Sequence, residues 1–174
     1  VRFVPDYKLD DGRFYENAWL QELPDPVTKL TWENAAHLSP ASARRLGVRD
    51  GDVVDLSRGG RSVSAPVLVV PGHADESVTL PLGWGQRVRG AVGRGGYDAY
   101  ALRTSDALAF GGGLELKPAG RRTDLAVTQG HFSMQVGGHE RAIALALDAR
   151  ELPKAQRELD EHRGPNPDIH RAVD

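Results

Sequence analysis

The stretch Leu38-Ser39-Pro40-Ala41-Ser42-Ala43-Arg44-Arg45-Leu46-Gly47-Val48-Arg49-Asp50-Gly51-Asp52-Val53-Val54-Asp55-Leu56 decides how the rest of the chain is read. Ser39 is a natural helix cap, Pro40 suits the first helical position, and Gly47 suits a left-handed exit. A short helix over Pro40–Leu46 follows. Asp50-Gly51 then marks a tight turn into a strand that runs to Leu56. Before the helix, Asn34 to Leu38 has the length and composition of a short strand. After it, Arg58-Gly59-Gly60-Arg61 is a second turn, and Ser62 to Val70 is a strand that alternates first and then runs apolar. Pro71-Gly72-His73-Ala74-Asp75 breaks the chain, and Ser77 to Leu80 resumes as a strand. Short strands joined by glycine turns around one short helix predict a small β-barrel.

Outward from this centre the signals weaken. Residues 1–33 lack a clean period, and Pro24 and Pro26 exclude a regular helix or central strand at their end. The expectation is a short strand and a docked loop over 1–33, a barrel core over 34–135 and a connector over 136–174. Residues 83–113 carry a dense glycine cluster, interrupted by a strand-like Tyr97–Thr104, and Leu125 to Gln129 reads as a last strand. In the connector, Leu152, Gln156 and Leu159 fall on one face of an amphipathic helix around Pro153 to Arg163, ended by Gly164-Pro165. The chain opens on Val1 and not Met, which predicts a cut or processed start.

Composition removes several classes of function. Lys and Arg total 22 against 24 Asp and Glu, a net charge of -2, which is no basis for binding driven by phosphate attraction to nucleic acid. With no Cys, the 174 residues hold no disulfide, thiolate metal site or cysteine nucleophile. No apolar run approaches the roughly 20 residues of a membrane helix, so direct insertion is not expected. A hydrophobic share of 40% suffices for a core, and 20 Gly with 11 Pro favour turns over long helices.

Two blocks taken together are distinctive. One is Gly12-Arg13-Phe14 followed by Asn17-Ala18-Trp19-Leu20-Gln21-Glu22-Leu23-Pro24-Asp25-Pro26-Val27-Thr28-Lys29, then Trp32 and Asn34. The other is Leu38-Ser39-Pro40, Ala43, Leu46-Gly47-Val48 and Asp50-Gly51-Asp52-Val53-Val54. The second resembles the C-terminal, dinucleotide-binding domain of the molybdopterin oxidoreductase superfamily, with Ser39-Pro40 where Asn-Pro is more usual. The first block, with Pro71 to Asp75, Asp98 to Ser105 and Gln129-Gly130-His131, narrows the likeness. It resembles the TAT-variant-translocated molybdopterin oxidoreductase, the iron–sulfur subunit of alternative complex III. The likeness covers roughly residues 10–135.

That resemblance implies a mainly β fold, a double-psi β-barrel with a short internal helix and a C-terminal helical extension. It implies a parent subunit with a molybdopterin-fold domain before this one and a ferredoxin-like module after it, toward which 149–174 would lead. The complex so implied lies on the periplasmic face of the cytoplasmic membrane and takes part in quinol-linked electron transfer. Iron–sulfur clusters are expected only in the parent chain, and no cofactor in this fragment. The fragment alone is not expected to be catalytic. Its role would be to cap the molybdopterin-fold domain by packing, the alternative being a live site for molybdopterin guanine dinucleotide.

For such a dinucleotide, Gly12 and Arg13 offer backbone approach and a guanidinium clamp, Gly83, Trp84 and Gln86 a stacking face and an amide, and Thr104 and Ser105 hydroxyls. Trp19 and Gln21 complete the candidate set. Asp98 stands where related sequences often have Asn, and a carboxylate there would repel a pyrophosphate; Gly130 and Phe132 replace polar residues expected beside His131.

Other patterns are weaker. His73 and Asp75 form a His-x-Asp, short of the three or four ligands a metal site needs, and nothing in the spacing ties His131 or His139 to them. Ser133, His131 and Asp124 lack a nucleophile elbow, and Gly93-Arg94-Gly95-Gly96 lacks the Lys of a phosphate loop. Arg87, Arg89 and Arg94 make a basic loop that suits solvent or an acidic partner surface. A free-standing interaction module and an autonomous enzyme on the same barrel are the rivals from other classes.

Overall fold

The computed structural model describes residues 1–86 and 95–129, the short strand segments 135–136 and 139–140, and Arg150 and Pro153. The chain falls into two units, Val1–Gly130 and His131–Asp174. In the second, Gln135–Val136 pairs antiparallel with His139–Glu140. Beyond Pro153 itself, the helix expected around Pro153 to Arg163 lies outside the described residues, as do the basic loop at Arg87, Arg89 and Arg94 and the residues His131 and Ser133.

The first unit is mainly β. Its strands are β1 (Arg2–Val4), β2 (Ala36–Leu38), β3 (Asp52–Arg58), β4 (Arg61–Val69), β5 (Thr79–Pro81) and β6 (Glu115–Arg122), with helices α1 (Ala18–Glu22) and α2 (Pro40–Leu46) and one 3₁₀ turn at Ala99–Leu102. They form one sheet in the order β1-β5-β2-β4-β3-β6. Among the described pairings this sheet has two ends and does not close into a barrel. β1 runs parallel to β5, β2 runs parallel to β4, and the other pairs are antiparallel.

Local chemistry accounts for the elements read from the sequence. The Ser39 side chain accepts from Ser42 N–H, Pro40 sits in the first turn, and Gly47 takes the left-handed exit at φ +66°. Gly51 has φ +82°, and a Cβ there would lie 2.4 Å from the Thr123 carbonyl, so only glycine lets β3 start beside that segment. The β3–β4 hairpin turns at Gly59-Gly60, both with positive φ.

Three segments differ from expectation, and a fourth element carried no expectation. Ala18–Glu22 is a helix, because Asn17 caps it through Leu20 N–H at 3.2 Å. Tyr97–Thr104 is not a strand. Asp98 accepts from Tyr100 N–H and winds the segment into the 3₁₀ turn. Leu125–Gln129 makes only an isolated bridge, Val127 to Leu30. Glu115–Arg122 is a strand despite Pro118 and Gly120, because it pairs with β3 along most of its length. Its other edge carries no partner among the described residues. The opposite end of the sheet is covered, since Phe3 N–H donates to Ala109 O at 2.7 Å and Gly111 N–H to Val1 O at 2.9 Å.

The core joins Phe3, Leu38, Val54, Leu56, Val67, Leu80 and Leu102, all buried. A second cluster, Leu9, Tyr15 and Trp84, sits under the N-terminal segment. Between strand ends lies Asn34, 2% exposed. Its Nδ2 donates to Pro81 O at 2.9 Å and Tyr97 O at 3.1 Å, and its Oδ1 accepts from Tyr97 N–H at 2.8 Å. Every polar atom of that side chain is thus used, and all three bonds cross long stretches of sequence. Asn34→Ala would strand three backbone groups where water does not reach, and we expect a loss of about 3 kcal/mol in urea unfolding. Asn34→Asp keeps the acceptor but loses both donors, and should cost at least as much.

Candidate functional site

Three of the nine residues expected to line a dinucleotide groove, Gly12, Gly83 and Gln86, do come together. Gly12 has φ +105° and Gly83 φ +89°, and a Cβ on Gly83 would lie 2.8 Å from Gly12 N. The two backbones therefore touch as only glycines allow. The Gln86 amide closes this junction, its Nε2 near Gly12 O at 3.3 Å and Gly83 O at 3.4 Å. A Cβ on Gly12 would collide with that same amide.

Arg13 projects beside the junction, and its charge is answered within the chain. Its Nε lies 3.1 Å from Asp10 Oδ2 and 3.0 Å from Asp11 Oδ1, and Nη2 donates to Asp11 Oδ2 at 3.1 Å. The hydrogen bonds from Arg13 hold the Asp11 carboxyl below its usual range, and Asp11 in turn raises the guanidinium. Trp84 is fully buried. Its Nε1 donates to Asp6 Oδ2 at 2.8 Å, and the Lys8 ammonium sits 5.0 Å from its ring centroid. Lys8 is itself buried, donates to Leu30 O at 3.0 Å, and is pushed down by desolvation against the pull of Asp6 and Asp25.

The remaining candidates lie apart. Gln21 is fully buried, its Nε2 donating to Tyr15 O at 2.6 Å and its Oε1 left without a partner. Trp19, on the same helix, is 85% exposed. Thr104 and Ser105 belong to a loop tied down by Arg58: Nη1 donates to Thr104 Oγ1 at 2.7 Å, Nε to Gly112 O at 3.0 Å, and Nη2 to Asp106 Oδ2 at 3.1 Å. Ser105 is exposed. The Asp98 carboxylate is the cap of the 3₁₀ turn.

His73 and Asp75 do not face one another as ligands. His73 Nε2 is 2.9 Å from Thr79 Oγ1 and Nδ1 is 3.0 Å from Ala74 O, while Asp75 accepts from Ser39 Oγ at 2.5 Å. Among the described residues no group of three or more His, Asp or Glu side chains is arranged to hold a metal ion. Nor is any helix among them long and apolar enough to cross a membrane.

A cavity of about 410 Å³ lies elsewhere, against Arg2, Tyr7, Val27, His37, His73 and Thr79. Little in the sequence marks it. The one signal was Ala36-His37-Leu38, where the imidazole falls on the face opposite two core residues. Burial depresses the His37 pKa to about 4, helped by His73 and opposed by Asp25 and Asp6.

Against known protein families the chain matches none, and no curated protein matches it significantly.

The depressed His37 pKa has a pH consequence. The unfolded chain takes up a proton near pH 6.5 that the folded chain refuses until about pH 4. The stability His37 brings is therefore present at neutral pH and lost as pH falls from 6.5 toward 4. We expect wild type to lose about 2 to 3 kcal/mol more than His37→Leu over this window in urea titrations. Equal losses in the two proteins would refute it.

Proposed function

We propose that this chain is the dinucleotide-binding-like, C-terminal domain of a larger redox subunit, where it caps a molybdopterin-fold domain by packing and has no catalysis of its own. The reading rests on the resemblance of the Gly12–Asn34 and Leu38–Val54 blocks. At the level of fold the reading takes the open six-stranded sheet as related to a double-psi barrel, although its described pairings do not close; the parallel pairings between strands distant in sequence, β1 with β5 and β2 with β4, are what supports it.

The observation that carries the structural half of the reading is the state of the groove. Where a pyrophosphate needs a free cation and open N–H groups, Arg13 is spent on Asp10 and Asp11, Gln86 fills the glycine junction, and Arg58 holds the Thr104 hydroxyl. Two added carboxylates beside the clamp would repel the dianion. As arranged, these groups do not fit the dinucleotide.

The surface supports the capping role. Phe14, Trp19 and Leu23 are exposed within ten residues of one another, on and around α1. A large apolar ring left in water is a cost that a neighbouring surface removes. In this reading that neighbour is the molybdopterin-fold domain. A ferredoxin-like module carrying the iron–sulfur clusters follows residue 174, and the assembly lies with other subunits of a membrane redox complex on the periplasmic face of the cytoplasmic membrane.

Titrating the full chain with GDP, as a guanine-nucleotide probe, tests the first half. We expect no saturable binding below about 1 mM. Micromolar binding lost on Arg13→Ala would overturn the packing role and establish a live nucleotide site. Trp19→Ser tests the second half. A ring that packs on nothing in this chain should change its unfolding free energy by no more than about 0.5 kcal/mol, and a loss of several times that would place Trp19 in the domain's own core.

A further inference from the structure

The capping role makes no use of the outer face of β1, β5 and β2. On these strands Phe3, Leu80, Ala36 and Leu38 point to the core. The alternate positions, Arg2, Val4, Thr79, Pro81 and His37, therefore share the other face. Register aligns three of them. Arg2 pairs with Thr79 across β1–β5, and Thr79 pairs with His37 across β5–β2. A guanidinium, a hydroxyl and an imidazole thus stand in one row, on strands roughly 4.8 Å apart.

Segments 5–7 and 25–28 wall this row in, which makes the 410 Å³ cavity already described. That volume lies within the range of small-molecule sites, and most of its lining is apolar, from Val4, Val27, Val70 and Pro81. The charges of the wall are nearly all committed. Asp25 Oδ1 accepts from Val27 N–H, Thr28 N–H and Thr28 Oγ1. Asp6 accepts from Lys8 N–H, Leu9 N–H and the Trp84 indole. The buried Lys8 ammonium lies in the field of both carboxylates. The Thr79 hydroxyl is taken by His73. His37 is uncharged at neutral pH. That leaves Arg2, which is exposed and, among the described residues, is paired with no carboxylate.

The geometry points to a binding site for a small monocarboxylate with a flat apolar body, its carboxylate on Arg2 and its body between Val4, Val27, Val70 and Pro81. A guanidinium fork matches a carboxylate through two parallel hydrogen bonds. A phosphate dianion would leave a second charge unanswered beside Asp6 and Asp25. A cation would have to share the cavity with the Arg2 guanidinium. The site stands whether or not the chain is a capping domain, because none of its wall belongs to the Gly12–Gly83 junction.

Sodium benzoate is the probe, titrated into the full chain while the ring-proton resonances of His37 and His73 are followed by NMR. We expect both to shift and to saturate below about 10 mM. Arg2→Gln should weaken binding about tenfold. Arg2→Lys, which keeps the charge but not the fork, should fall between them, and Arg49→Gln, the control for net charge, should leave the affinity unchanged. Benzamide, with the same ring and no charge, should bind about tenfold more weakly than benzoate. Shifts that fail to saturate, equal affinity for benzamide and benzoate, or indifference to Arg2→Gln would each overturn the assignment.

Discussion

The fold turns on one buried amide. Asn34 lies where β2 begins, and its side chain bonds the backbone at the end of β5 and on both sides of Tyr97. Strands that far apart in sequence have no local reason to meet. An amide with two donors and an acceptor can satisfy three such groups at once, while an aliphatic side chain would bury them unpaired. The close packing around it follows. A Cβ on Gly96 would lie 2.5 Å from Asn34 Oδ1, and one on Gly95 would overlap the Trp32 carbonyl. The glycine-rich segment is thus shaped by what it must pass, and its residues leave room for the amide.

The same economy governs the polar groups of the N-terminal segment. Asp6, Lys8, Arg13 and Asp25 look from their charges like recognition elements. In the fold each serves neighbouring backbone, another charge of the chain, or the Trp84 indole. Conserving internal bonds this way holds a segment with little regular structure against the sheet. It also separates groups that are merely polar from groups that are available, and Arg2 is of the second kind.

How much could be read from the sequence depends on the range of the forces involved. α2 was legible because Ser39, Pro40 and Gly47 act on their own turn. So were β3 and β4, whose Gly59-Gly60 turn forms locally. β6 was not, since Pro118 and Gly120 leave Lys117-Pro118-Ala119-Gly120 without a strand signal until β3 supplies its partner. The strand-like Tyr97–Thr104 misled for the converse reason: a single Asp98 cap outweighed the side-chain pattern. At the site, the glycines were legible as places of close approach, but the occupants of that approach were not. The row of Arg2, Thr79 and His37 exists only through pairings between strands far apart in sequence, so no local motif announces it.

The margin of β6 left unpaired among the described residues has its own implication. Proline at 118 has no N–H to offer, glycine at 120 adopts φ +68°, and Arg121 and Arg122 carry charge to the rim. At the far side, residues 109–111 already occupy the hydrogen-bonding positions of β1. Lateral growth of the sheet is therefore discouraged at both margins. Such margins favour neighbours that meet this domain face to face through side chains over neighbours that extend its sheet.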